Sequence, residues 1–103
     1  MKWYEDYNNF VDEFVSRGVY ADETTFFFKS NPDDDTHYIG YLPKYEKPYW
    51  AGYCDIPNGA DFVTAEEMFT AKIFGGKSIK ERWNEIVICE FGGIAISDYP
   101  YKS

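Results

Sequence analysis

The chain has 103 residues and a net charge of −8, and aromatic residues make up 21% of it. That length is one domain, the ring content is not that of a disordered chain, and the acidic balance argues against binding nucleic acid through its phosphates, which needs a basic face. The excess is uneven: residues 1–70 carry 14 acids against 5 bases, and residues 71–103 carry 4 against 5.

Trp3, Tyr7, Phe10 and Phe14 recur at spacings of three and four, with Tyr4 and Val11 widening the stripe. This predicts an amphipathic helix over 3–17. Glu5, Asp6, Asn9, Asp12, Glu13 and Ser16 fall on its solvent side, and Gly18 supplies the stop. Thr24 to Lys29 reads as a strand, with Phe26 and Phe28 on one face and Phe27 on the other. Residues 30–35, SNPDDD, form a turn by composition. Thr36 to Leu42 follows as a second strand, in which His37, Ile39 and Tyr41 share a face. Pro43 to Pro48 is a loop, and Tyr49 to Asp55 a third strand, with Trp50, Gly52 and Cys54 opposite Tyr49, Ala51 and Tyr53. Gly40 and Gly52 inside strands leave room for neighbouring rings or mark bulges.

Residues 55–61 contain the turn signal Pro57-Asn58-Gly59. Thr64 with Glu67 makes a capping box for a short helix over 65–71, and Ser78 with Glu81 repeats the pattern. Ile79 and Trp83 would share a face, with Lys80 and Arg82 towards water. The apolar run 86–91, IVICEF, suits the middle of a sheet. Gly92-Gly93 can take the positive φ angles of a hairpin turn, with 94–97 returning as a strand. The tail from Asp98 is polar and is expected to fray. The fold class this predicts is α+β: an antiparallel sheet of four or five strands, packed by the N-terminal helix and two short helices, in the order α-β-β-β-α-α-β-β.

Motifs with chemistry are scarce. Gly75-Gly76-Lys77-Ser78 looks like the end of a phosphate-binding loop, but Ala71 stands where the motif wants glycine. A glycine break before the Ser78 cap explains the same residues. Asp33, Asp34 and Asp35 could offer oxygen ligands to a hard cation, yet an EF-hand starting at Asp33 would meet Tyr38 and Lys44 where it needs glycine and a carboxylate. A solvated turn is the plainer account. His37 is the one histidine, and no GxSxG elbow accompanies it. Cys54 and Cys89 form no CxxC pair and no zinc spacing. They read as reduced, buried thiols of a cytoplasmic protein. The start has no apolar signal region, and no run reaches the 18 residues of a membrane span. No metal and no cofactor is expected.

What remains is an acidic, tyrosine-rich surface. Ten tyrosines exceed what a small core can bury with every hydroxyl satisfied. The binding residues this selects are Asp33, Asp34, Asp35, Tyr45, Glu46, Tyr49 and Trp50, rings of the type that anchor interfaces beside carboxylates that steer a basic partner. The function expected is a non-enzymatic binder of a basic protein surface. Its sharpest version is an inhibitor of a nucleic-acid-handling protein that presents carboxylates where phosphates would lie. In size and charge the chain is similar to the acidic anti-CRISPR and antirestriction inhibitors of phages and mobile elements, although no motif carries that likeness. The alternatives are a small enzyme or ligand-binding domain built on His37 and a carboxylate, and a structural or regulatory subunit.

Overall fold

Six antiparallel strands make one sheet in the computed structural model, which describes residues 1–31 and 36–102. In chain order they are β1 (Thr24–Phe28), β2 (His37–Tyr41), β3 (Tyr49–Gly52), β4 (Ala60–Phe62), β5 (Ile86–Phe91) and β6 (Ile94–Ala95). Their order across the sheet is β4-β3-β2-β1-β5-β6. The α+β class and the antiparallel sheet are as the sequence predicts; the strand count is six rather than four or five. The additional strand is β4, which forms inside a segment that reads as a turn. Three residues suffice because β3 offers an open ladder, pairing Ala51 with Ala60 and Tyr49 with Phe62. β6 is shorter than expected and gives way to a 3-10 turn at Ile96–Asp98. The Gly92-Gly93 hairpin forms, with φ of 60° and 80°.

The first helix, α1, runs Tyr7–Arg17. It starts later than its apolar stripe because Asp6 is its cap, accepting from the Asn9 N–H at 3.0 Å. Trp3–Glu5 makes a separate 3-10 turn. The second helix, α2 (Ala65–Thr70), starts on the predicted Thr64 cap, whose Oγ1 accepts from the Glu67 N–H at 3.1 Å; the box itself does not close, because Glu67 Oε2 accepts from the Val63 N–H at 3.3 Å and not from that of Thr64. The Ser78–Glu81 box does close, in both directions at 3.0 Å. It caps a run of turns and a 3-10 segment at Trp83–Glu85 instead of an α-helix.

The core lies between the helices and one face of the sheet. Phe10 and Phe14 from α1 meet Phe69 from α2 and Phe91 from β5, all buried. Their contacts are edge-to-face: Phe10 on Phe91 at 5.7 Å and 90°, Phe14 on Phe69 at 5.5 Å and 88°. Each buried ring contributes roughly 1.5–3 kcal/mol by area, and the edge-to-face geometry adds to it. Three polar positions depart from expectation. Glu13 is buried, because the Tyr99 hydroxyl donates to its Oε2 at 2.5 Å and Arg17 Nε to the same atom at 2.9 Å. Tyr99 is therefore buried as well, and the tail is anchored at that point. Arg82 does not turn to water: its guanidinium lies 3.6 Å from the Phe28 ring centroid. No helix among the described residues is long and apolar enough to cross a membrane.

Candidate functional site

Strand alternation sends Phe26, Phe28, His37, Ile39 and Ala51 to the core. It sends Phe27, Tyr38, Trp50, Val87 and Cys89 to the other side, where each is half-buried and none belongs to the core cluster. This second face is apolar and ring-rich. Towards one edge of it stands Trp50 on β3, which pairs across the ladders with Gly40 on β2 and Asp61 on β4.

Two features hold the indole flat on the sheet. A Cβ on Gly40 would stand 2.3 Å from Trp50 Nε1, and one on Gly52 would stand 3.6 Å from Trp50 Cζ3. The ring thus occupies the space that a side chain on Gly40 would take, as the ring-clearance reading of that glycine expects, and it lies at ordinary contact distance from where a Cβ on Gly52 would stand. The second feature is Asp22, at the foot of β1. Its Oδ1 accepts from Trp50 Nε1–H at 2.6 Å and from the Tyr41 backbone N–H at 3.0 Å.

Trp50 divides two surface cavities. The larger, about 670 Å³, is lined by Tyr38, Tyr53, Glu23 and Gly52 with Pro57 and its turn. Tyr38 and Tyr53 pack ring to ring at 5.2 Å, tilted by 42°. The smaller, about 350 Å³, lies on the other flank between Tyr45, Glu46, Lys47 and Asp61. The loop that carries Tyr45 is closed at its base by the Leu42 N–H donating to the Pro48 carbonyl at 2.8 Å. Four carboxylates therefore stand around one indole: Asp22 bonded to it, and Glu23, Glu46 and Asp61 exposed beside it.

Of the residues selected from sequence, Tyr45, Glu46 and Trp50 come together in the smaller cavity. Tyr49 does not join them. It faces the core, packs on Tyr41 at 4.7 Å and on Phe14 at 6.3 Å, and its hydroxyl pKa is raised by burial and then by Tyr41. Asp33, Asp34 and Asp35 lie outside the described residues. Sequence reasoning missed Asp22, Glu23, Tyr38 and Tyr53. Alternation places Tyr38 on the face of Trp50, so that residue was within reach; Asp22 and Glu23 arrive through the tertiary fold, with no local signal.

A third cavity, about 390 Å³, contains His37 together with Cys54, Asp55 and Arg82. Its polar groups are committed to holding the fold. His37 Nδ1 meets the Tyr53 carbonyl, and its ring is enclosed by Phe26, Phe28 and Phe74. Asp55 accepts from the backbone N–H groups of Gly75 at 3.0 Å and Gly76 at 2.8 Å. These bonds, Gly76 first, hold its carboxyl below the usual carboxylate range. Arg82 donates to Glu85, Ser30 and the Phe74 carbonyl. The phosphate-loop look of Gly75-Gly76-Lys77-Ser78 is thereby explained: the glycines do present amides to an anion, and that anion is Asp55. Both cysteines are free, half-buried thiols rather than buried ones, and burial followed by the Glu90 charge pushes the Cys89 thiol up. Among the described residues no group of three or more His, Cys, Asp or Glu side chains could hold a metal ion.

No protein-family model matches the chain, and no significant match was found among curated proteins or solved structures.

Proposed function

We propose that the chain is a non-enzymatic binding module, and that the ring-rich face of its sheet engages a basic surface on a protein partner. The observation that supports this reading is the half-buried Trp50 lying on the outer face of the sheet between two surface cavities, with the exposed Glu23, Glu46 and Asp61 around it and the net charge of −8 behind them. Large flat rings supply contact area at low entropic cost, and surrounding carboxylates steer a cationic surface and select against acidic ones. A nucleic-acid-handling protein is the partner class that fits best, because its channel is already built to receive negative charge. Occupying that channel would make the module an inhibitor.

The test is a bait experiment at low and high salt, with a second bait carrying Glu23→Gln, Glu46→Gln and Asp61→Asn. The expected result is retention of basic, nucleic-acid-handling proteins by the native chain at low salt, and their loss from the neutralised bait. If the native chain retains none at low salt, the proposal fails.

A second reading rests on the cavity at His37: a small-ligand or catalytic site using that imidazole with Asp55. It requires both groups to leave their structural partners. A His37→Ala variant that keeps its fold and every measured activity removes it.

A further inference from the structure

The larger cavity beside Trp50 has a chemistry of its own. Its walls are the faces and edges of Tyr38, Trp50 and Tyr53, and Tyr53 is 63% exposed. The Glu23 carboxylate stands on its rim with no hydrogen bond or ion pair to any described residue. Aromatic faces carry negative potential, and a cation placed over them is attracted, most strongly by an indole. The indole here is tuned in that direction. Its N–H donates to the Asp22 carboxylate at 2.6 Å, which pushes electron density onto the ring. It is also held in place before anything binds, by Asp22 on one edge and the bare backbones of Gly40 and Gly52 beneath. Little ordering entropy is then lost on binding.

We propose that this groove is the receptor for one lysine or arginine side chain of the partner, with the cation over Trp50 and between the two tyrosines and Glu23 as its counter-charge. The proposal rests on the protein-binding reading above and adds the recognition element. Other occupants fit less well. A second copy of the chain would bring a like charge of −8 to the face, and like charges across an interface are costly. A stacked nucleobase would bring its phosphates to the same carboxylates.

The probe is an octa-arginine peptide, titrated into isotope-labelled protein at low salt, with neutral octa-citrulline as the isosteric control. The expected result is movement of the Trp50 indole N–H and the Gly52 and Gly59 amides with octa-arginine and no movement with octa-citrulline. Glu23→Gln and Trp50→Phe should each weaken binding about tenfold, within the range of a partly desolvated cation–π contact. Asp12→Asn, which removes the same charge from the exposed side of α1, should change it less than twofold. Trp50→Phe keeps a ring for packing; if it nevertheless fails to fold, Glu23→Gln against Asp12→Asn carries the comparison. Binding that leaves the Trp50 indole unmoved, or that Asp12→Asn weakens as much as Glu23→Gln, overturns the groove and leaves the general acidic-surface reading standing. No binding of octa-arginine at low salt overturns both. Movement of the Trp50 indole by an oligothymidylate rather than by octa-arginine overturns the cationic ligand in favour of a nucleic acid.

Discussion

Both oxygens of Asp55 accept from the amides of Gly75 and Gly76, whose φ angles of 69° and 77° turn their N–H groups the same way. A glycine pair with these angles is a ready anion site, and the chain fills it internally. The carboxyl pKa lies below its ordinary value as a result. Glu13 is lowered too: burial pushes it up, but the hydrogen bonds from Tyr99 and Arg17 outweigh that. A carboxyl lowered on folding contributes stability that is present above its unfolded pKa, about 4, and is lost as pH falls through the lower folded value. Acid unfolding should therefore set in below about pH 4. Asp55→Asn, which can no longer offer two anionic acceptors, should lower stability at pH 7 by about 1 kcal/mol. It should also flatten the acid limb of a denaturant-derived stability–pH curve, and an unchanged limb would show that the nest does not hold this charge. Tyr99→Phe removes the hydroxyl that donates to Glu13 from the tail. We expect a loss of about 1–2 kcal/mol by urea titration at pH 7, since a buried carboxylate gives up a charge-assisted bond.

Strands β2 and β3 show which parts of an element can be read from sequence and which cannot. Period-two alternation correctly separates Phe26 and Phe28 from Phe27, and Ile39 from Tyr38, because one face of this sheet meets the core and the other does not. The apolar stripe of α1, the Thr64 cap and the Ser78–Glu81 capping box are equally local, and each forms. β4 is not legible, since Ala60-Asp61-Phe62 carries no strand signal and pairs only because β3 would otherwise be an edge. Glu13 reads as a solvent residue; its burial is set by Tyr99, 86 positions away. Asp22 lies outside every element predicted from sequence and becomes the acceptor that fixes Trp50, 28 positions away. The candidate site was half-visible for related reasons: Trp50, Tyr45 and Glu46 are close in sequence, whereas Glu23 reaches the groove through the tertiary fold, and Tyr53, expected on the face opposite Trp50, leaves the alternation because β3 ends at Gly52 and Tyr53 takes a φ of 54°. Gly40 links the element to the site. A methyl there would stand 1.9 Å from Asp22 Oδ1 and 2.3 Å from Trp50 Nε1, and the contacts are to a strand-bound indole that cannot swing freely. Gly40→Ala should cost about 1–3 kcal/mol as overpacking and should displace the Trp50 indole N–H resonance. Retention of native stability with an unshifted indole would mean that the close approach is not what holds the ring.

At the scale of the whole molecule, the acids divide into two populations with opposite responses to salt. One is tied into the fold: Glu13 pairs with Arg17, Glu81 with Lys72 and Glu85 with Arg82, at 2.9, 3.5 and 3.2 Å. The other includes Asp12, Glu23, Glu46, Asp61 and Glu66, exposed and adding to a net charge of −8. The molecule is 34 Å across its longest axes. At 10 mM ionic strength the screening length is about 30 Å, so most of these acids repel one another; at 150 mM it is about 8 Å, and only close pairs still interact. Exposed pairs such as Lys72–Glu81 contribute little, so the repulsion should dominate the difference. The thermal midpoint should rise by several degrees between 10 and 150 mM sodium chloride, a rise that corresponds to roughly 1 kcal/mol for a domain of this length. Binding of a cationic partner should move the other way over the same range, because screening weakens attraction to the exposed acids as it relieves their mutual repulsion. A midpoint that falls with salt would mean that the tied pairs outweigh the free carboxylates. The surplus charge would then not be available to a partner in the way the proposed function requires.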